Sequence, residues 1–206
     1  MSRFIESIKI EDQEIFNINF HQKRVNDTFE NFGKENLIDL EQIFKDLEHD
    51  EDGLYKLRIV YDLNSKFTVN IIPYAYSEIK EFALVENNTL DYSFKFEERK
   101  IFEMMKIKSR SEEIIIVKNN HITDSSYANL LFLKGKQWFT PNTCLLNGTQ
   151  KQALLKSKKI KETEINLRNL KEFSHFQMIN AMIGFEEIIY PIELINNLSH
   201  FSNDNE

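Results

Sequence analysis

Cysteine is almost absent from this sequence: Cys144 stands alone among 206 residues. No internal disulfide can form, which fits a reducing, cytoplasmic compartment. Glycine (5) and proline (3) are scarce as well, so regular elements joined by short turns are expected. No apolar run approaches the length that spans a bilayer, and the longest, such as residues 114–117, are far too short. The N-terminus MSRFIESIKIEDQE has no apolar core and does not read as a signal peptide. A basic stripe is missing too. With a net charge of −7, the chain offers no surface for nucleic-acid phosphates. The sequence contains no Walker loop, GxGxxG, GxSxG or HExxH. His21, His49, His121, His175 and His200 lie without metal-ligand spacing, so no metal site is expected.

What remains is an ordinary globular composition, 41% hydrophobic and 29% charged. The length suits one large domain or two small ones. Residues 4–10 alternate as a strand, and Glu11-Asp12-Gln13 reads as a hairpin turn into a second strand over 14–20. Val25, Thr28, Phe29 and Phe32 then fall at helical spacing, with Gly33 as the stop. Leu37, Leu40, Ile43, Phe44 and Leu47 predict a second amphipathic helix. Strands are expected at 54–61, 67–74 and 81–85. The pattern breaks at Asn87-Asn88-Thr89, which predicts a small α+β domain over 1–88 and a larger one over 89–206.

In the second half a helix is expected over 97–105, with strands at 113–117, 129–133 and 137–140. Asn119-Asn120 marks a hairpin turn. Gly148 leads into a helix ending near residue 157. A helix or turn is expected at 167–173, a strand or turn at 176–181, a last helix at 192–198 and a frayed tail at 201–206. Gly148-Thr149 has chemical interest, because a glycine turn at a helix N-terminus presents backbone N–H groups to an anion. A plain N-cap explains it equally well.

Taken in order, several segments resemble the class IV aminotransferases, the fold-type-IV group of pyridoxal-phosphate enzymes. Phe4-Ile5-Glu6-Ser7-Ile8 resembles the opening strand and Phe20-His21-Gln22-Lys23-Arg24 the "HxxR" of the first helix. Leu57-Arg58-Ile59 resembles a strand whose arginine binds the cofactor phosphate. Lys95-Phe96-Glu97-Glu98-Arg99 resembles "KxxxR". Ile122-Thr123-Asp124 with Ala128-Asn129-Leu130 resembles "TE….N". Thr140-Pro141 with Leu146-Asn147-Gly148-Thr149 resembles "TP…LPGIT", and Ile179-Asn180-Ala181 a late phosphate-contacting segment. The resemblance implies an α+β, two-domain fold like D-amino acid aminotransferase. It also implies pyridoxal 5′-phosphate as cofactor, a small amino acid-like substrate and a homodimer.

On this resemblance Lys95 forms the Schiff base, a role that needs a partly desolvated amine, and afterwards moves protons at the substrate α-carbon. Asp124 keeps the pyridine nitrogen protonated, which makes the ring an electron sink. Arg58 grips the phosphate, as do Thr149 and Gln150 beside Gly148, and Asn180 further along. Leu146 packs on the ring. Each residue also has a plainer reading: a solvated lysine, a turn aspartate, an arginine in a structural ion pair, a core leucine.

The chain departs from the family pattern in places. Asp124 replaces a glutamate, Lys151 an arginine and Asn180 a threonine. The 141–148 loop is shortened, and the stretch usually preceding the first strand is missing, which leaves the substrate side open. Arg3, Arg24, Arg99 and Lys151 are candidate anion contacts. The resemblance points first to 4-amino-4-deoxychorismate lyase, which releases pyruvate and 4-aminobenzoate for folate synthesis. The alternatives are a branched-chain or D-amino acid aminotransferase and a non-catalytic relative serving as a binding or structural dimer.

Overall fold

The computed structural model describes residues 2–49 and 52–198. The chain forms two compact units, Met1–Tyr76 with Phe94–Glu98, and Ser77–Ser93 with Arg99–Glu206. The division falls earlier than the break at residue 88, and the short segment carrying Lys95 belongs to the first unit.

The first unit contains β1 (Arg3–Glu11), β2 (Glu14–Ile15), α1 (Ile18–Asn31), α2 (Leu40–Lys45), β3 (Leu54–Asp62) and β4 (Phe67–Pro73). Its antiparallel sheet has the order β2-β1-β3-β4. Period-two alternation buries Phe4, Glu6, Ile8 and Ile10 of β1 on one face. These pack with Val25 and Phe29 of α1 and Leu57 and Ile59 of β3. Each fully buried isoleucine contributes roughly 1.5–3 kcal/mol.

The strand expected over 14–20 stops at Ile15. Asn17 adopts φ 55°, ψ 24°, a left-handed conformation that asparagine tolerates, and α1 begins there. At the other end Gly33 has φ +61°. The bonds Lys34 N–H to Phe29 C=O and Gly33 N–H to Glu30 C=O complete a Schellman stop. The second helix is shorter than expected, because Asp39 caps it by accepting the Gln42 N–H at 3.0 Å. Leu37 therefore lies outside the helix and is 74% exposed.

The second unit holds β5 (Phe82–Glu86), α3 (Lys100–Ser109), β6 (Glu113–Lys118), β7 (His121–Ser125), β8 (Asn129–Lys134) and β9 (Gln137–Pro141). It continues with α4 (Thr149–Lys156), β10 (Lys161–Thr163), β11 (His175–Ile179) and β12 (Tyr190–Pro191). One eight-stranded sheet runs β10-β9-β8-β7-β6-β5, with β11 paired to β8 and β12 to β11. Two pairings are parallel, β5–β6 and β9–β10, and each is joined through a helix, as a parallel crossover requires. Ile114, Ile115, Ile116 and Val117 are all fully buried, so this apolar run is a strand covered on both faces. Asn119 and Asn120 both have positive φ and turn β6 into β7, as a two-residue hairpin turn demands.

The helix expected over 97–105 starts at Lys100, and that expected over 192–198 is one 3-10 turn at Ile192–Leu194. The tail at 201–206 and His200 lie outside the described residues. No helix among the described residues is long and apolar enough to cross a membrane. No group of three or more His, Cys, Asp and Glu among them could hold a metal ion.

Candidate active site

In the first unit, Phe94–Glu98 runs as a strap antiparallel to the start of β1. The Ile5 N–H donates to the Lys95 carbonyl and the Glu97 N–H to the Arg3 carbonyl, both at 2.9 Å. Phe4 pairs with Phe96, and their rings stack with centroids 5.2 Å apart. Alternation then sends Lys95 and Glu97 to the side of the strap opposite Phe94 and Phe96. Lys95 is half-buried. Two residues on, Glu97 accepts from Arg58 Nη2 at 2.8 Å and lies 3.1 Å from Arg3 Nε. Arg58 thus makes an ion pair with the lysine's own segment, the plainer of its two readings.

A second cluster in this unit joins two of the family-like segments, the opening strand with Glu6 and the HxxR segment with His21 and Arg24. Glu6 and His21 are fully buried. Glu6 accepts from Arg24 Nε at 2.8 Å and again from Arg24 Nη2, and meets His21 Nδ1 at 2.6 Å. Burial alone would raise the Glu6 carboxyl. The Arg24 charge and the hydrogen bonds from His21 and Arg24 outweigh it and hold the group at about 2. His21 is lowered, first by burial, then by the Arg24 and Lys95 charges, against the pull of Glu6. Its Nδ1 lies against the carboxylate. The signal was present in the sequence: Glu6 is the polar residue on the apolar side of β1.

In the second unit the residues singled out from sequence converge on Asp124, next to last in β7 and 5% exposed. Its Oδ2 accepts the backbone N–H groups of Leu145 (2.8 Å) and Leu146 (3.0 Å). Its Oδ1 accepts from Asn129 Nδ2 at 2.7 Å. Burial pushes the carboxyl up to about 6 despite these bonds and the Lys151 charge. Asn129 also donates to the Leu146 carbonyl at 2.8 Å. Its Oδ1 lies where a Cβ on Gly148 would fall, 2.1 Å from it. Only glycine fits at that position.

Thr149 is the first residue of α4, and the helix's own ladder starts with Gln152 N–H to Gly148 C=O. The N–H groups of residues 149–151 therefore lie outside the ladder, at the positive end of the dipole. Lys151 is 2% exposed, 3.0 Å from Glu162 Oε1 and 3.2 Å from Cys144 Sγ. Burial raises the Cys144 thiol first and Asp124 adds to it, so the thiol is a poor nucleophile. Asn180 folds back on its own turn, accepting the Met182 and Ile183 N–H groups at 2.8 and 2.9 Å. Arg99 donates to the Ser126 carbonyl and lies over the Phe102 ring.

The second unit thus holds a buried carboxylate beside a glycine-led helix start, and the first unit a half-buried lysine on a braced strap. The family profile described as "Amino-transferase class IV" matches residues 3–188. An uncharacterized protein of Haemophilus influenzae (strain ATCC 51907 / DSM 11121 / KW20 / Rd) is 34% identical over 192 residues, covering 89% of this chain and all of that one. A crystal structure from Haemophilus somnus 129PT, provisionally assigned as a 4-amino-4-deoxychorismate lyase, is similar at TM-score 0.83. It shares 33% identity, covering 90% of this chain and 98% of the other. An aminotransferase from Brucella abortus, bound to pyridoxal phosphate, is similar in fold at TM-score 0.68 and 14% identity, over 92% and 79% of the two chains.

The chain belongs to the class IV aminotransferase family, whose members are pyridoxal-phosphate enzymes acting on amino acid-like substrates. Its fold is that of the fold-type-IV group. The residues present fit the cofactor. Asp124 is a buried acid near 6 whose contacts are neutral N–H donors, suited to a protonated ring nitrogen, and the first turn of α4 beside it carries the positive end of a helix dipole, suited to a phosphate.

Proposed function

We propose that this protein is a pyridoxal-phosphate-dependent lyase that takes 4-amino-4-deoxychorismate to pyruvate and 4-aminobenzoate, with Lys95 as the lysine that carries the cofactor. The observation behind the cofactor reading is Asp124: a buried carboxylate whose bonding partners are neutral N–H donors. Such a group is costly until a cation faces it. The lyase preference draws on the Haemophilus somnus relative, matched over nearly its whole length.

The bound cofactor supplies an electron sink for charge that develops at the substrate α-carbon. Lys95, once its amine is free of the cofactor, holds and returns the α-proton. Asp124 keeps the ring nitrogen protonated. Thr149 and Gln150 offer backbone N–H groups to the phosphate, and Leu146 lies against the ring. Arg58 is assigned to the same phosphate, and binding there requires it to loosen its bond to Glu97. Asn180 is assigned to the phosphate side as well, in place of the family's threonine, and binding there requires its amide to leave the Met182 and Ile183 N–H groups. The reading includes a cytoplasmic homodimer. Light scattering should give twice the chain mass, and a monomeric holoenzyme would remove that part.

The deciding assay feeds enzymatically made 4-amino-4-deoxychorismate and couples pyruvate to lactate dehydrogenase. Pyruvate release supports the lyase. Amino transfer to 2-oxoglutarate without pyruvate would replace it with an aminotransferase. The purified protein should be yellow and Lys95→Ala colourless. A wild type that stays colourless with added cofactor would leave a non-catalytic relative.

A further inference from the structure

We infer that Asn129 is a positioning residue for the cofactor, its one amide setting both the Asp124 carboxylate and the first turn of α4. The inference rests on the cofactor reading above and deepens it. Three separate pieces of chain meet at this side chain. Asp124, next to last in β7, pairs with Asn129 in register, so the strand geometry brings the two side chains together. The Asn129 Nδ2 group spends its two hydrogens on different elements, Asp124 Oδ1 at 2.7 Å and the Leu146 carbonyl at 2.8 Å. Leu146 in turn returns its own N–H to Asp124 Oδ2 at 3.0 Å. A closed ring results: carboxylate, amide, carbonyl, N–H, carboxylate.

The amide oxygen faces the other way, onto Gly148. A Cβ there would sit 2.1 Å from Asn129 Oδ1 and 3.2 Å from its Cγ. The helix start can therefore approach β8 only because residue 148 has no side chain and residue 129 has a flat one. Asn129 itself is 6% exposed, so neither bond is shared with bulk water. Leucine, or any branched residue, would fill the space but make none of the bonds. Aspartate would place a second charge against Asp124.

The groups facing Asp124 are few. Leu145 and Leu146 give N–H donors from the loop, Asn129 gives its amide from β8, and Lys151 of α4 acts through its charge. Cys144 lies between Lys151 and Asp124 in the electrostatic sense, since both act on its thiol. Of these, Asn129 alone is a neutral side chain that touches both the acid and the helix start. Its loss should weaken the two ends of the cofactor site together. A residue that merely fills the core would lower stability and leave cofactor affinity alone.

The test measures pyridoxal phosphate affinity by fluorescence titration, at several pH values, for wild type, Asn129→Ala, Gly148→Ala and the double variant, each with its melting temperature. Losing a hydrogen bond to a charged group predicts about tenfold to a hundredfold weaker binding for Asn129→Ala. Gly148→Ala keeps the amide but displaces it, and should weaken binding as much. The double variant should match the single ones rather than their product, because both break the same contact. Wild-type affinity should fall as the pH drops through about 6. In Asn129→Ala that fall should begin at higher pH, because a bond favouring the carboxylate is gone. If Asn129→Ala does not fold, the Gly148→Ala titration decides. Affinity and pH midpoint unchanged in a folded variant, with only the melting temperature lowered, would overturn the inference. A wild type that takes up no cofactor would overturn the cofactor reading instead.

Discussion

Glu6 in the first unit and Asp124 in the second are both buried carboxylates, yet their proton affinities move in opposite directions. Glu6 is held at about 2 and Asp124 is pushed to about 6. The difference lies in what surrounds them. Glu6 receives a guanidinium twice and an imidazole once. Asp124 receives two backbone N–H groups and an amide, with one cation acting at longer range. Burial penalises both, but only at Glu6 is a full opposite charge in contact. The first site is electrically complete and braces α1 against β1. The second has no opposite charge in contact, which is what the proposed cofactor site requires. Each shift corresponds to roughly 3 kcal/mol between protonation states, with opposite sign.

The largest expected effect comes from breaking the complete site. Arg24→Ala leaves Glu6 buried with only the His21 imidazole and should cost about 3–5 kcal/mol. Thermal unfolding should record a drop of roughly 6–20 °C. A melting temperature within about a degree of wild type would mean that water already reaches Glu6.

Next in size is Asp124→Asn. Steady-state turnover with added cofactor should fall on the order of a hundred- to a thousandfold, while the melting temperature moves much less than for Arg24→Ala. Its pH behaviour sharpens the contrast. Glu6 has a lowered folded value, so its contribution is complete above about pH 4.5 and is lost as pH falls toward 2. Asp124 has a raised one, so its contribution is complete below about pH 3.8 and is lost as pH rises through about 6. Melting curves of the cofactor-free proteins should therefore show two gaps to wild type. That of Glu6→Gln closes toward acid, and that of Asp124→Asn shifts between pH 4 and 6. Two gaps with the same pH slope would refute the contrast.

The smallest effect concerns a carboxylate at the surface. Asp39 caps α2 through the Gln42 N–H, and Asp39→Ala should cost about 1 kcal/mol, or about 2–4 °C. A larger loss would show that exposed acids matter here as much as buried ones.

Local patterns were legible wherever the cause was local. The alternation of β1, the Asn119-Asn120 turn and the glycine entry to α4 all appear where the sequence places them. Family motifs then picked out Asp124, Gly148 and Thr149, which do gather in one unit. The unread parts depend on distant partners. Glu6 and His21 are 15 positions apart on different elements, and although both fall in family-like segments, nothing local says that they meet. The role of Asn129 depends on a loop 17 positions away. The first unit's recovery of Phe94–Glu98 left no mark on composition, since Phe94 and Phe96 read as ordinary aromatics ahead of a helix. Arg58 invited an anionic ligand, yet its bonded acid is Glu97, 39 positions further on.

The Lys95 strap also has a consequence in time. Its backbone bonds to Arg3 and Ile5 join the two extremes of the first unit, so that unit lacks its closing piece until Glu98 has been synthesised. By then Ser77–Ser93, which belong to the other unit, have already been synthesised. A long loop must close before the strap's contacts are gained, a slow step for any chain. The lysine is thereby mounted late, on a sheet whose other strands are already made. A nascent chain can hold a folded N-terminal sheet and still lack the strap that carries Lys95.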